Sequence, residues 1–465
     1  MQEVKVAEII ASNRLTVVVG LGATGLSVAR FLSAQGEPFV VVDSREQPPA
    51  LAQLNAELPA VRTQLGQLDS ATLCSANQLI VSPGLPLDTP ALVEAANAGV
   101  EIIGDIELFA RHAQAPIVAI TGSNGKSTVT TLLGEMARLS GKNAGVGGNL
   151  GTPALDLLSD EKDLYVLELS SFQLESVDTL GAKVATVLNV SPDHMDRYAS
   201  ILDYHRAKHR IFKGARQIVV NRDDYLSQPL IGDAVTNWSF GLSKPDFCAY
   251  GLLQQQGESW LAFQFEPLMP VADVRIKGCH NIANALAALA LGHAVGLSRE
   301  AMLAALRSFP GLPHRCQNIA QHEGVTWIDD SKATNVGATI AAIEGLSEQS
   351  SNSGNTQAQI VLIAGGQAKG QDFSALAKAL PGRVKQVILM GEDAEQLAQA
   401  FGKIVPSIHA TSMQAAVSAA ARLVGDGDIV LLSPACASFD MFSGFAERGR
   451  CFAEAVAALT GGGGS

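Results

Sequence analysis

From Thr121 to Thr128 the chain reads Thr-Gly-Ser-Asn-Gly-Lys-Ser-Thr, set between an apolar run at 117–120 and a helical pattern over 129–140. Such a run can cradle a phosphate. Gly122 and Gly125, with Ser123 and Asn124 between them, let backbone N–H groups close around an anion, and Lys126 adds a point charge at the helix start. Ser127 offers a hydroxyl to a magnesium ion, with Thr128 next to it. The ordinary Walker spacing needs a further glycine at position 120, where Ile120 stands, so this cradle is shortened. A plain strand-to-helix turn would explain the glycines but not the Lys-Ser-Thr triplet, so phosphate binding is the expected role.

Other polar residues fall where strands should end. The run Leu164-Tyr-Val-Leu-Glu168-Leu and the run at 184–190, which leads into Ser-Pro-Asp-His194-Met-Asp, are nearly continuous apolar stretches. Strands buried on both faces of a parallel sheet look like this, and ligands gather at their carboxyl ends. Glu168 and His194 beside a bound phosphate would suit magnesium, although each alone also reads as an ordinary surface acid or loop histidine. Asn149, after Gly147-Gly148, closes another strand-like piece and could place an amide near the same phosphate. Lys208 sits in a mostly apolar helical stripe with Ile201, Tyr204 and Ile211. Either it snorkels outward, the ordinary outcome, or it is held inward, where burial leaves a reactive neutral amine. Asn281 and Asn284 share one face at the start of an alanine-rich helix and read as ligands of a base or as caps.

The elements that must position these groups fall into three segments, as the 465-residue length suggests at about 150 residues per domain. Residues 1–104 open with a strand, Gly20-Leu-Gly-Ala-Thr-Gly25, a helix and a second strand ending at Asp43, where a ribose-binding acid would be expected. Alone this suggests a nicotinamide enzyme. Only about four strands precede the cradle, too few for the six-stranded dinucleotide fold, so a smaller nucleotide is the better reading. Residues 105–310 hold the cradle, and the turn-rich Pro310-Gly-Leu-Pro-His-Arg315 opens a third segment, 311–460. There, strands end in Asp330-Ser-Lys332, in Gly365-Gly366 with Lys369 close by, and in Ser433-Pro-Ala-Cys-Ala-Ser438. The stretch 347–359 reads as a polar, mobile loop, and 461–465 as an engineered linker. The whole is α/β: a Rossmann-like N-terminal domain, a central P-loop ATPase domain with a parallel sheet, and a Rossmann-like C-terminal domain.

Composition narrows the classes. Hydrophobic residues make up 47% of the chain, enough for several cores, and a net charge of -12 without a basic block argues against nucleic acid. Six scattered cysteines fit reduced thiols. With no secretory signal and no run long enough to span a bilayer, we expect a soluble, cytoplasmic protein, taken as a monomer.

With these pieces in place the chain resembles the Mur ligase family, ATP-dependent amide ligases of peptidoglycan precursor synthesis. The resemblance runs from Gly20-Leu-Gly through Gly104-Asp-Ile-Glu-Leu-Phe109, the cradle, Glu168-Leu-Ser-Ser-Phe-Gln173, Asp193-His-Met-Asp-Arg197, His280-Asn281 and Asp330-Ser-Lys-Ala-Thr-Asn335 to Ser433–Ser438. Its cradle is nearest to the branch that adds D-glutamate, and the Asp-Asn-Pro-Arg motif of the diaminopimelate-adding branch is absent. The alternative is a sibling that adds another amino acid.

The resemblance implies ATP and magnesium, two ions, at Lys126, Ser127, Glu168 and His194, with Lys208 as a carbamylated lysine that supports the metal. It implies nucleotide contacts from Asn281, Asn284, Arg315, Asp330 and Lys332. Ala23, Thr24, Asp43, Ser44, Arg45, Ser82, Gly84 and Asn149 would meet UDP-N-acetylmuramoyl-L-alanine, so the first glycine motif holds a UDP-sugar. Thr334, Lys369, Ser438, Phe439 and Phe445 would meet D-glutamate. Around that pocket the chain departs from the family: Gly365-Gly-Gln-Ala-Lys369 replaces a commoner Gly-Gly-Asp-Gly-Lys, and Phe439 stands where leucine is usual.

Overall fold

The computed structural model describes residues 15–230, 232, 235–352 and 359–461. Three sheets follow one another along the chain, each clothed by helices. β-Branched runs such as Val17-Val18-Val19 suit buried pleated strands, and this one forms the centre of the first sheet. Its five strands are all parallel, in the order Arg62–Leu65, Phe39–Asp43, Thr16–Val19, Gln78–Val81, Glu101–Ile103. The reading of four strands is corrected to five: Arg62–Leu65 is a polar edge strand with no apolar run to betray it.

The second sheet has nine strands, ordered Glu266–Pro270, Glu258–Phe263, Ala249–Gln255, Thr236–Phe240, Gln217–Asn221, Val184–Val187, Ile117–Thr121, Leu164–Glu168, Ala144–Gly148. Glu258–Phe263 pairs antiparallel with both Glu266–Pro270 and Ala249–Gln255, so the sheet expected to be parallel carries an antiparallel edge. The remaining neighbours are parallel. The strand that feeds the cradle lies between the strand of Glu168 and the strand that leads to His194. Ile120 is level with Glu168, and Thr121 with Val187. That adjacency delivers three polar loops to one end of the sheet.

The third sheet orders six strands as Gln317–His322, Val325–Asp329, Ile429–Leu432, Ile360–Gly365, Val384–Met390, Ser407–His409, with only the first pair antiparallel. The helix Val336–Asn352 runs on into the stretch read as a loop from 347. Glu, Gln and Ser extend an existing helix at little cost, because nucleation has already been met. The rest of that loop, 353–358, lies outside the described residues, as does the N-terminal stretch 1–14 on which the absence of a signal was read. The final helix is Phe445–Gly461, so Gly461 is helical and does not belong to a linker; 462–465 fall outside the described residues. No helix among the described residues is long and apolar enough to cross a membrane.

The first two sheets share one hydrophobic cluster, in which Val18, Leu21 and Ile80 join Phe109, Tyr165 and Leu167. The helix Asp105–His112 forms the join. Its Glu107 is fully buried and accepts the N–H groups of Asp178 (2.7 Å) and Thr179 (2.8 Å) and the Thr179 hydroxyl (2.7 Å). The third sheet has two clusters of its own. Phe109 packs edge-on against Tyr165 with ring centroids 5.0 Å apart. Removing a buried ring leaves a cavity, so Phe109→Ala should lower stability by about 3–5 kcal/mol, read as an earlier urea midpoint; an unchanged midpoint would contradict the shared core.

Candidate active site

The cradle is a sharp exit from the buried strand Ile117–Thr121 into the helix Lys126–Leu139. Gly125 caps that helix at φ +84°, and a Cβ there would stand 2.4 Å from Oδ1 of Asn284, so only glycine fits. Lys126 folds back over the loop and donates to the carbonyls of Gly122 (2.7 Å) and Ser123 (2.9 Å). Burial lowers its pKa, and the nearby Glu168 and Asp193 oppose that.

Glu168 is 3% exposed. Its Oε1 accepts from Nδ2 of Asn149 at 2.8 Å, while the buried Oε2 has no partner. An unpartnered buried carboxylate oxygen is costly unless a cation meets it. His194, at φ +57°, sits edge-on to Phe172 at 4.8 Å, and burial holds its pKa down, favouring the neutral imidazole. Among the described residues no three His, Cys, Asp or Glu side chains converge as a metal cage. A divalent cation here would therefore draw further oxygens from a bound phosphate.

Of the two readings of Lys208, the structure takes the inward one. The side chain is 1% exposed, its Nζ donates to the Gly122 carbonyl at 2.9 Å, and it lies 4.4 Å from the centre of the Tyr204 ring. Burial first, and the Lys126 charge second, push its pKa well below the ordinary lysine value. The amine is thereby biased towards its neutral form.

The third sheet reaches the same place. Nη2 of Arg315 donates to Oγ of Ser127 at 2.6 Å. Asn335 and Asn124 exchange amide hydrogen bonds (3.3 and 3.1 Å), and Asn335 also donates to Asp193 at 3.1 Å. Lys332 rests 4.0 Å above the Phe445 ring, and burial lowers its pKa to about 8. Asp330 accepts from the Cys316 N–H (3.1 Å) and the Ser433 hydroxyl (2.8 Å), and burial raises it to about 7.

Two cavities meet at Asn124, Gly125, Arg315 and Lys332. One, of about 280 Å³, is lined by Ser123, Lys126, Ser127, Asn149, Glu168, His194 and Lys208 on one side. Thr334, Lys369, Ser438, Phe439 and Phe445 line the other. The second, of about 350 Å³, brings in Thr128, Asn281, Asn284 and Asp330. Gly84 lines a third space with His194 and Lys369. Ala23, Thr24, Asp43, Ser44, Arg45 and Ser82 line none of these; Ala23 and Thr24 start the helix Ala23–Ala34, and the others lie at the carboxyl ends of strands of the first sheet or just after them. Asp43 is 2% exposed and its carboxylate is fully engaged. It accepts from Leu21 N–H (2.7 Å), Arg45 N–H (2.9 Å) and two guanidinium nitrogens of Arg45 (2.9 and 2.7 Å), which hold its pKa near 2. The hydroxyl of Ser82 donates to the Gly20 carbonyl at 2.9 Å.

Sequence reasoning missed Asp193, Tyr204, Phe172 and Asn335, all of which line the smaller cavity. Asp193 and Asn335 sit inside motifs already singled out, so adjacency could have found them. Tyr204 was hidden as a member of an apolar stripe.

Three family models match: the N-terminal domain of MurD-like Mur ligases over 14–104, the Mur ligase middle domain over 120–292, and the glutamate ligase domain of Mur ligases over 314–436. The UDP-N-acetylmuramoylalanine--D-glutamate ligase of Pseudomonas aeruginosa is 60% identical over 451 residues, 97% of this chain and 99% of the relative. That of Hahella chejuensis is 53% identical over 452 residues, 97% and 100% of the two chains. Among solved structures, the UDP-N-acetylmuramate-alanine ligase of Thermotoga maritima superposes with a TM-score of 0.59 at 19% identity, covering 96% and 99% of the two chains. The MurF ligase of Thermotoga maritima in complex with ADP gives 0.59 at 16%, covering 97% of each. These two likenesses concern the fold.

A phosphate placed beside Lys332 would raise its pKa. ADP binding near pH 8.5 should therefore take up protons, with affinity falling as pH rises through about 8. Calorimetry in buffers of different ionisation enthalpy measures the uptake; Lys332→Met should abolish it, and equal uptake by both proteins would contradict the assignment.

Proposed function

The chain belongs to the Mur ligase family, and from that premise we propose that it joins D-glutamate to UDP-N-acetylmuramoylalanine at the expense of ATP, releasing ADP and phosphate. One observation supports the reading: Lys126, Ser127 and Glu168, which suit a phosphate, and Lys369, Ser438 and Phe445, which would meet an acidic amine, line one cavity.

An amine cannot expel oxide from a carboxylate. The alanyl carboxylate first attacks the γ-phosphorus of ATP, and the P–O bond to ADP breaks, giving an acyl phosphate. The amine of D-glutamate then attacks the acyl carbon. As the tetrahedral intermediate collapses, the C–O bond to phosphate breaks, and the amine loses a proton to complete the amide. Both reactants of the first step are anions, so positioning and charge neutralisation dominate. Lys126 answers the phosphates from the cradle, and Arg315 and Lys332 answer them from the third domain. Asn281, Asn284 and Asp330 would hold the nucleoside. Ala23, Thr24, Ser44 and Arg45, fixed by Asp43, would hold the uridine diphosphate, with Ser82, Gly84 and Asn149 along the path to the cradle. Thr334 and Phe439 complete the D-glutamate pocket.

Ser127, Glu168 and His194 suit magnesium, which when bound would offset phosphate charge; the free Oε2 of Glu168 supports this fit. Lys208 supplies the form of lysine that adds CO2: its neutral amine attacks the carbon and loses one proton to give a carbamate. That anion would sit beside Lys126, replacing a neutral amine with an ion-pair partner. The domains implied are 1–104 for the UDP-sugar, 105–310 for ATP and 311–460 for the amino acid. We take the enzyme as a cytoplasmic monomer.

Phosphate release with UDP-N-acetylmuramoylalanine and a panel of amines should require D-glutamate. Turnover with another amino acid in its place would overturn the assignment. Lys208→Ala should lose about 100-fold or more in kcat, with partial rescue by formate or acetate. Undiminished activity would remove Lys208 from the mechanism.

A further inference from the structure

Arg448, three residues into the last helix, is 2% exposed and hydrogen-bonds to no carboxylate. Its Nε donates to the Ser331 hydroxyl (3.0 Å) and its Nη2 to the Ser331 carbonyl (2.8 Å). Its Nη1 donates to the carbonyls of Cys436 (3.1 Å) and Ala437 (3.3 Å). The carboxylates of Asp440, Asp329 and Asp330 act on it only without hydrogen bonds, its direct acceptors being neutral, and hydrophobic side chains would fill the same volume more cheaply. The acceptors explain the choice. Ser331 lies between Asp330 and Lys332 on the nucleotide side, and Ala437 adjoins Ser438 on the amine side.

The network extends one step further on each flank. The Ser331 hydroxyl donates to the Phe445 carbonyl at 2.8 Å, and Lys332 lies over the Phe445 ring. Ala437 exchanges backbone hydrogen bonds of 3.0 Å with Gln367, two residues before Lys369. A planar fork with fixed N–H directions holds such acceptors in one arrangement; an ammonium point charge does not.

We infer that Arg448 is a positioning residue that locks the Asp330–Lys332 loop to the Cys436–Ser438 loop, so that the transferred phosphate and the amine that attacks the acyl carbon bonded to it are held at a fixed separation. The inference rests on the assignment of ATP to the first loop and D-glutamate to the second. Arg448 touches neither substrate and acts only through the loops.

Steady-state kinetics of Arg448→Lys test it. Losing the fork should raise KM for D-glutamate and KM for ATP by about tenfold each, with KM for UDP-N-acetylmuramoylalanine within about twofold of the parent value. A role confined to folding would lower the active fraction, and so apparent kcat, and leave all three KM values alone. If Arg448→Lys does not fold, Ser331→Ala removes one anchor of the fork with little change in volume. It should raise KM for D-glutamate although residue 331 is on the nucleotide loop. An unmoved KM for D-glutamate in whichever variant folds overturns the inference. Failure of the parent enzyme to use D-glutamate at all would instead overturn the functional assignment.

Discussion

Four cationic side chains, Lys126, Lys208, Arg315 and Lys332, are drawn out of water around one glycine loop, and the rest of the site follows from that crowding. Burial depresses the pKa of each of them, and the positive neighbours deepen the shift for Lys208, Arg315's neighbour Lys332 and Lys126 itself. Glu168 and Asp193 are the anions that face them, while Asp330 is pushed up to about 7 and contributes a partial charge at neutral pH. Such a site favours a ligand bearing several negative charges. It also biases Lys208 towards its neutral amine: burial and then the Lys126 charge lower its pKa, against the pull of Asp193 and Glu168, and only a carbonyl and a hydroxyl accept from it.

The three sheets are joined unequally. The first and second share an apolar core, whereas the third meets the cradle through polar contacts, the Arg315 to Ser127 bond and the Asn124, Asn335, Asp193 set. Polar contacts exchange readily with water and ligand, while a shared core does not. We therefore propose that closure over ATP, which would keep an acyl phosphate from water, is a movement of the third domain. The same contacts bring Lys369, Ser438 and Phe445 to the cavity that the glycine loop lines.

Much of this was legible in the chain, and the reasons differ by element. Strands buried on both faces announce themselves as apolar runs, and the polar residue at the end of each, Glu168 or His194, is then located by topology. Edge strands such as Arg62–Leu65, Gln317–His322 and Ser407–His409 bury little and carry no such pattern. Lys369 and Ser438 were legible as polar residues near strand ends, but their grouping with Thr334 and Phe445 came only through the family resemblance, because strand order in the third sheet, not spacing along the chain, brings them together. Arg448 looked like any charged residue on an amphipathic helix. Its burial depends on two loops that converge from distant strands.

On the proposed mechanism one cavity first activates a carboxylate with phosphate and then hands it to an amine. Heavy oxygen placed in the alanyl carboxylate of UDP-N-acetylmuramoylalanine tests it directly, with the released phosphate analysed by mass spectrometry after a single turnover with ATP and D-glutamate. Passage through an acyl phosphate predicts that one labelled oxygen per turnover appears in inorganic phosphate. Unlabelled phosphate, with the heavy oxygen lost to water or retained wholly in the product, would contradict the account.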